Sequence, residues 1–218
     1  MTRVLDIHSH ILFGVDDGAE SIDKSVKMLD AAKHAGIRCI YATPHWKSKH
    51  GDRERIRRNF RALLPYAEQA GIALHLGYEY NLAALDILQF EAAKDFTLEN
   101  TESLLLEFPF ESWPAEWERI LLRLQRIGLQ IVIAHPERYL PVQRDLGVLK
   151  ELLELGCLLQ CNASSVLSHR PEKKRVMRYI RQLGRLDFLA SDAHSASDYA
   201  VFEKAVAQVA GEIRYPSY

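Results

Sequence analysis

Two histidines, His8 and His10 in Asp6-Ile7-His8-Ser9-His10, stand at the end of a short apolar run near the start of the chain. The run Val4-Leu5-Asp6-Ile7 reads as a buried β-strand, in which residues two apart point the same way. The pair is therefore placed to reach one metal ion together. A lone His-x-His arises by chance in many chains, but here the later apolar runs end in the same manner. Thr43-Pro44-His45 closes a second, Glu79 a third and Glu107 a fourth. His135 in Ala134-His135-Pro136-Glu137-Arg138 closes a fifth, and Asn162 a sixth. Asp192 and His194 in Ser191-Asp192-Ala193-His194 close a seventh, while Asp16-Asp17-Gly18 follows the first. Five histidines and at least four carboxylates are more than one ion needs. With one carboxylate shared between ions, the count suits two or three divalent metals. No cysteine lies among these donors, so the set is nitrogen and oxygen, which favours Zn, Mn or Fe over soft-metal or iron–sulfur chemistry. A purely structural role for the whole set would gather charge without compensation, at considerable cost.

The elements that must position these groups follow from glycine punctuation and apolar spacing. Gly36, Gly71, Gly128, Gly156 and Gly184 each follow a helical pattern and precede an apolar run, as helix-ending residues in the left-handed conformation do. Helices are marked by Ile22, Val26 and Leu29, then by Ile56, Phe60, Leu63, Leu64 and Ala67. Others are marked by Trp117, Ile120, Leu121, Leu124 and Ile127, by Leu146, Leu149 and Leu153, by Val176, Ile180 and Leu183, and by Phe202, Val206 and Val209. Strands are expected at residues 4–7, 37–43, 72–77, 103–108, 130–134, 157–162 and 187–191. Near-continuous apolar strands alternating with helices indicate a parallel sheet covered on both faces, closed as a barrel or open and doubly wound. In either case the strand ends converge at one mouth, where such folds place their active sites.

Other chemistries are excluded. There is no dinucleotide glycine fingerprint and no phosphate-cradling Gly-Lys-Ser/Thr loop. A cysteine phosphatase needs Arg six places after its Cys, but His45, Ala163 and Leu167 stand six after Cys39, Cys157 and Cys161. No Gly-x-Ser-x-Gly elbow occurs. The formal net charge of −1 offers no electrostatic case for nucleic acid or a membrane surface. No apolar stretch is long enough to span a bilayer, and the start does not read as a signal peptide. Three cysteines, all inside apolar runs, read as reduced thiols of a cytoplasmic protein.

Asp-x-His-x-His, Thr-Pro-His, His-Pro-Glu-Arg and Ser-Asp-Ala-His, in this order, resemble the PHP (polymerase and histidinol phosphatase) superfamily. Val15-Asp16-Asp17-Gly18-Ala19 and Leu106-Glu107-Phe108-Pro109-Phe110 look more narrowly like its CpsB/YwqE group, the bacterial protein-tyrosine phosphatases of capsule and exopolysaccharide operons. The resemblance runs from residue 4 to about residue 194. It implies a single PHP-type phosphatase domain over residues 1–218, folded as a distorted (β/α)7 barrel with a trinuclear metal centre at the C-terminal strand ends. Carried over by motif, His8, His10, Glu79 and Asp192 hold a first metal. Glu79, Glu107 and His135 hold a second, and Asp17, His45 and His194 a third. Asp17 is preferred to Asp16 because it directly precedes Gly-Ala. Arg138 holds phosphate and, with Asp192 and His194, forms the implied catalytic set. The implied reaction is in-line hydrolysis by hydroxide held between metals, on a phosphotyrosine protein such as the tail of a bacterial tyrosine kinase. The alternatives are a small phosphomonoester such as histidinol phosphate, a diester, or a metal-binding regulatory partner of a kinase without hydrolysis. One departure bears on substrate preference: relatives carry an Arg shortly after the last histidine, whereas this chain reads Ser195-Ala196-Ser197-Asp198-Tyr199.

The remaining features have plainer readings. The basic stretch Lys47 to Arg61 (with Lys49, Arg53, Arg55, Arg57 and Arg58) reads as a solvated face, or else as a rim attracting anionic substrates. His34, His50, His75 and His169 lie away from strand ends and read as structural or surface residues. Trp113 and Trp117 are expected in the core, while Phe110 and Trp113 are also placed to stack a substrate ring at the mouth.

Overall fold

The apolar strands find cover on both faces by alternating with helices along almost the whole chain. The computed structural model describes residues 4–48, 51–85 and 90–214. In order, it contains β1 (Val4–Ser9), α1 (Ile22–His34), β2 (Ile37–Ala42), β3 (His45–Trp46), α2 (Arg53–Ala70), β4 (Ala73–Leu76) and β5 (Glu79–Asn81). Two 3-10 turns, Leu82–Ala84 and Phe90–Phe96, precede β6 (Ser103–Glu107), α3 (Trp117–Arg126) and β7 (Gln130–Ala134). There follow α4 (Leu140–Arg144), α5 (Gly147–Glu154), β8 (Leu158–Asn162), α6 (Ala163–Val166), α7 (Pro171–Gln182), β9 (Phe188–Ala190) and α8 (Ala196–Val209). The five punctuating glycines have φ of 82°, 72°, 95°, 78° and 61° in chain order, the region where a Cβ is disfavoured. Helix starts follow their capping chemistry: Ser21 accepts from Lys24 N at α1, and Asp52 accepts from Arg55 N at α2.

All strand pairs are parallel, in the orders β1-β2-β4 and β3-β5-β6-β7-β8-β9. The second and third expected strands are each broken in two. Pro44, which has no N–H to donate, separates β2 from β3. Gly77 lies in the break between β4 and β5, where a Cβ would meet Leu98 Cδ2 at 2.6 Å. Gly77 N bonds Ala42 O at 2.9 Å and Glu79 N bonds Pro44 O at 3.2 Å, carrying the pairing across the breaks. On the other side His10 N bonds Ala193 O and Asp192 N bonds His8 O, each at 2.9 Å, joining β1 to the end of β9. The strands thus curl into the expected barrel. The third expected unit differs, because the 3-10 turns stand where a covering α-helix would. No helix among the described residues is long and apolar enough to cross a membrane.

Alternation within the strands divides two cores. Ile7, Tyr41, Leu105, Val132, Ala134, Phe188 and Ala190 meet in a small inner cluster with Leu98. Leu104, Leu106, Ile131, Ile133 and Leu159 face the helices in the larger one. The inner cluster forms the floor beneath the strand ends.

Candidate metal centre

The side chains that continue the inner faces beyond this floor are polar. In β5 and β6, Glu79 pairs with Leu105 and Asn81 with Glu107, so Glu79 and Glu107 occupy successive inner levels. His45 of β3 pairs with Glu79 in the same level. His8 reaches its place through an irregularity: Leu5 and Ile7 face the inner cluster, yet His8 also turns inward onto Gln160 of β8. The ladder of β1 slips between Asp6 and Ser9, which permits both. His8 and His10 do point the same way, as expected, with their Nε2 atoms 3.2 Å apart. His135 follows the inward Ala134 and would point outward in an extended chain, but its φ of 31° turns it back. Asp192, with φ 50°, is the other left-handed residue at the site.

All nine expected donors come together, with Glu79 at their centre. Its Oε1 lies 2.8 Å from His135 Nε2 and 3.5 Å from His8 Nε2. Its Oε2 lies 2.6 Å from His45 Nδ1 and 3.5 Å from His10 Nε2. Asp192 Oδ1 lies 3.5 Å from His8 Nε2, 3.3 Å from His10 Nε2 and 3.8 Å from His194 Nδ1. Asp17 Oδ1 lies 3.2 Å from His45 Nε2 and 3.6 Å from His194 Nε2. Glu107 Oε1 is 3.9 Å from His135 Nε2, and its Oε2 accepts from Asn81. Donor atoms within 4.8 Å of one another form four overlapping groups: His8, His10 and Asp192; His8, Glu79 and His135; His45, Glu79 and Glu107; His10, Asp17, His45 and His194. The overlap is greater than the motifs implied, where Glu79 alone was shared between the first two sets: His8, His10, His45 and Glu79 each belong to two groups.

This donor set fits divalent ions. Glu79 Oε2 and His45 Nδ1 are buried 2.6 Å apart, yet neither makes a hydrogen bond, which leaves both as donor atoms for an ion. The outer partners orient the rings accordingly. Gln160 Oε1 accepts from His8 Nδ1 at 2.9 Å, Asp16 Oδ2 from His10 Nδ1 at 2.8 Å, and the Asp192 carbonyl from His194 Nδ1 at 2.9 Å. In each neutral ring this leaves Nε2 as the free lone pair. Asp16 also accepts from the backbone of Gly18 and His45, which leaves Asp17, 62% exposed, as the member of the acidic pair facing the mouth. Gln160 and Asp16 supply support that motif reading did not assign. Gln160 was visible as a polar residue in an apolar strand, two before Asn162 and on the same face.

Arg138 sits at the edge. Its Nη1 donates to Asp192 Oδ2 at 3.0 Å, the oxygen that also accepts from Asn162 at 2.6 Å. His34 and His169 are exposed, and half-buried His75 pairs with Glu99. Lys49 and His50 lie outside the described residues. Arg53 of the basic stretch is tied to Asp95, while Lys47 and Arg55 line a cavity of about 380 Å³ beside Asp17 and His45. Trp113 packs on Phe108 with centroids 4.3 Å apart, whereas Phe110 is exposed at the mouth.

Burial disfavours a charged His8, but Glu79 and Asp192 outweigh it and raise the imidazole to about 9. Burial likewise opposes the Glu79 carboxylate, while His8 and His135 hold it well below the usual range. Stability from a raised histidine is complete below its unfolded value near 6.5 and is lost as pH rises through about 9. Protein stripped of metal should therefore lose thermal stability between pH 6.5 and 9. Metal-loaded protein should not, because ions replace those protons. Melting curves of both forms across this range provide the check, and a flat profile for the stripped form would rule out a protonated His8.

The profile of the family described as capsular polysaccharide synthesis, CpsB/CapC, matches residues 4–211. The chain is 32% identical over 197 residues to the tyrosine-protein phosphatase YwqE of Bacillus subtilis (strain 168), spanning 88% of this chain and 78% of the relative. It is 30% identical over 203 residues to the tyrosine-protein phosphatase CpsB of Streptococcus agalactiae, spanning 88% and 83%. Among solved structures, one described with YwqE from Bacillus subtilis and CpsB from Streptococcus pneumoniae as unique metal-dependent tyrosine phosphatases superposes with a TM-score of 0.81. It is 29% identical and covers 98% of this chain and 88% of its own.

Proposed function

This chain belongs to the CpsB/CapC family of capsular polysaccharide synthesis, and on that premise we propose that it is a metal-dependent protein-tyrosine phosphatase. Residues 1–218 act as one cytoplasmic phosphatase domain linked to capsule or exopolysaccharide regulation. The substrate is a phosphotyrosine protein, with the tail of a bacterial tyrosine kinase as the natural partner. The observation that carries this reading is the gathering of nine nitrogen and oxygen donor residues, Glu79 among them, into four overlapping groups, with Arg138 at their edge. His8, His10, Asp17, His45, Glu79, Glu107, His135, Asp192 and His194 would hold two or three divalent ions, Mn, Fe or Zn. When bound, such ions lower the pKa of coordinated water towards ~7 and neutralise phosphoryl charge.

The chain's own groups do the rest. Asp192 divides its oxygens, Oδ1 towards the histidines and Oδ2 towards Arg138 and Asn162, and so ties the cationic grip to the ligand cluster. Arg138 spends one donor on Asp192 and has others left for a non-bridging phosphoryl oxygen. Buried His8, His10, Glu79 and His135 form the floor, and the more exposed Asp17 and His194 form the side by which a phosphoryl group enters.

Neither fully buried thiol takes part. Burial pushes the Cys157 thiol up to about 12 and Cys161 well above its ordinary value, so neither is a thiolate nucleophile at neutral pH. Metal-loaded protein should therefore hydrolyse a phosphotyrosine peptide, lose that activity to a chelator, and keep it after thiol alkylation that leaves the fold intact. Efficient cleavage of histidinol phosphate or a diester with phosphotyrosine peptides untouched would overturn the reading.

A further inference from the structure

We infer that Phe110 is the aryl-recognition surface of the centre, the residue by which it prefers tyrosyl over alkyl phosphates. This rests on the phosphatase reading above. Among the described residues the exposed large apolar side chains are Leu64, Tyr66, Phe110 and Leu122. Three of these belong to helices α2 and α3, whereas Phe110 follows β6 at the mouth. Its ring stacks on His135 with centroids 5.7 Å apart and planes inclined 26°. The Arg138 guanidinium lies 4.7 Å from the same ring. The ring is thus flanked by a donor of the cluster and by the phosphate-gripping cation, yet 38% of the residue remains open to solvent.

Its placement is built rather than incidental. The Phe110 carbonyl accepts from Leu140 N at 2.8 Å, which ties this loop to the segment that follows Arg138. Tyr139, fully buried, supports the ring at 5.7 Å. The neighbouring aromatic residues serve the core instead: Trp113 of the loop lies against Phe108, and Trp117 at the start of α3 meets both edge-on.

In a tyrosyl phosphate one oxygen separates phosphorus from the ring. With the phosphoryl group on Arg138, that ring must lie within reach of the nearest open apolar surface, which is Phe110. A seryl or glyceryl phosphate offers no ring there. Aromatic pairs of this kind contribute beyond simple burial, enough for roughly a three- to tenfold preference.

The test compares kcat/KM for a phosphotyrosine peptide and the matching phosphoserine peptide in metal-loaded wild type, Phe110→Leu, Phe110→Ala and Phe110→Trp. Phe110→Leu keeps an apolar contact for Arg138 and removes the ring. The aryl-over-alkyl ratio should fall about three- to tenfold in the Leu and Ala variants and be retained in Trp. Calorimetric Kd values for phenylphosphonate and methylphosphonate should show the same change of ratio without turnover. Equal losses on both substrates would mean that Phe110 acts only through Arg138 and would overturn the inference, as would an unmoved ratio. Wild type that cleaves phosphoserine but not phosphotyrosine would overturn the phosphatase reading with it.

Discussion

Glu79→Gln should lose metal and turnover together, lowering kcat/KM on the order of 10³-fold or more. The substitution keeps the shape of the side chain, so the loss reports charge and donor type. Glu79 is almost fully buried, with four imidazole nitrogens within 3.5 Å. An amide there removes the negative charge that balances the cluster and can turn N–H donors towards nitrogens that must themselves face an ion. Elemental analysis after reconstitution with Mn or Zn should find more than one ion per wild-type chain and at most one in the variant. Normal metal content and rate in Glu79→Gln would show that this carboxylate bridges nothing.

Arg138→Ala should give the complementary result: metal content unchanged and kcat/KM down by about 10²- to 10³-fold. The Arg138 side chain reaches the cluster through Asp192 Oδ2, which Asn162 continues to hold, while its backbone bond to the His135 carbonyl survives the substitution. Arg138→Lys should recover part of the loss, because an ammonium restores the charge but not the planar fork. Loss of metal in Arg138→Ala would instead place its role in fixing Asp192.

What was legible in the sequence was which polar side chains would gather at the mouth, because all but Asp17, which was chosen from its motif, stand at or just beyond the end of an apolar run. The helix-ending glycines were equally legible, since their role depends on local conformation alone. The breaks in the second and third strands were signalled by Pro44 and Gly77, but whether a break or a bend follows depends on neighbours such as Leu98, which lie far along the chain. The overlap between donor groups was not legible, because it depends on reach and rotation across strands, although His8, His10 and Asp192, and likewise Asp17, His45 and His194, gather as the motifs implied. His45, for example, meets Glu79 because β3 and β5 pair in that register, and it then also reaches the group of His10, Asp17 and His194. The inward turn of His135 rests on a left-handed backbone dihedral that histidine adopts more readily than most residues, but too seldom for its residue type alone to place it here.

That dihedral has a consequence for how this protein can change. His135 and Asp192 both hold the left-handed backbone that costs a side-chain-bearing residue about 1–2 kcal/mol. Glycine at either position would relax the main chain and delete a donor. Selection for heat tolerance alone would thus favour, at these two positions, the changes that erase the chemistry. A thermally hardened descendant that keeps its activity must gain its stability elsewhere, in the helices and the outer core, and carry the two strained residues unchanged.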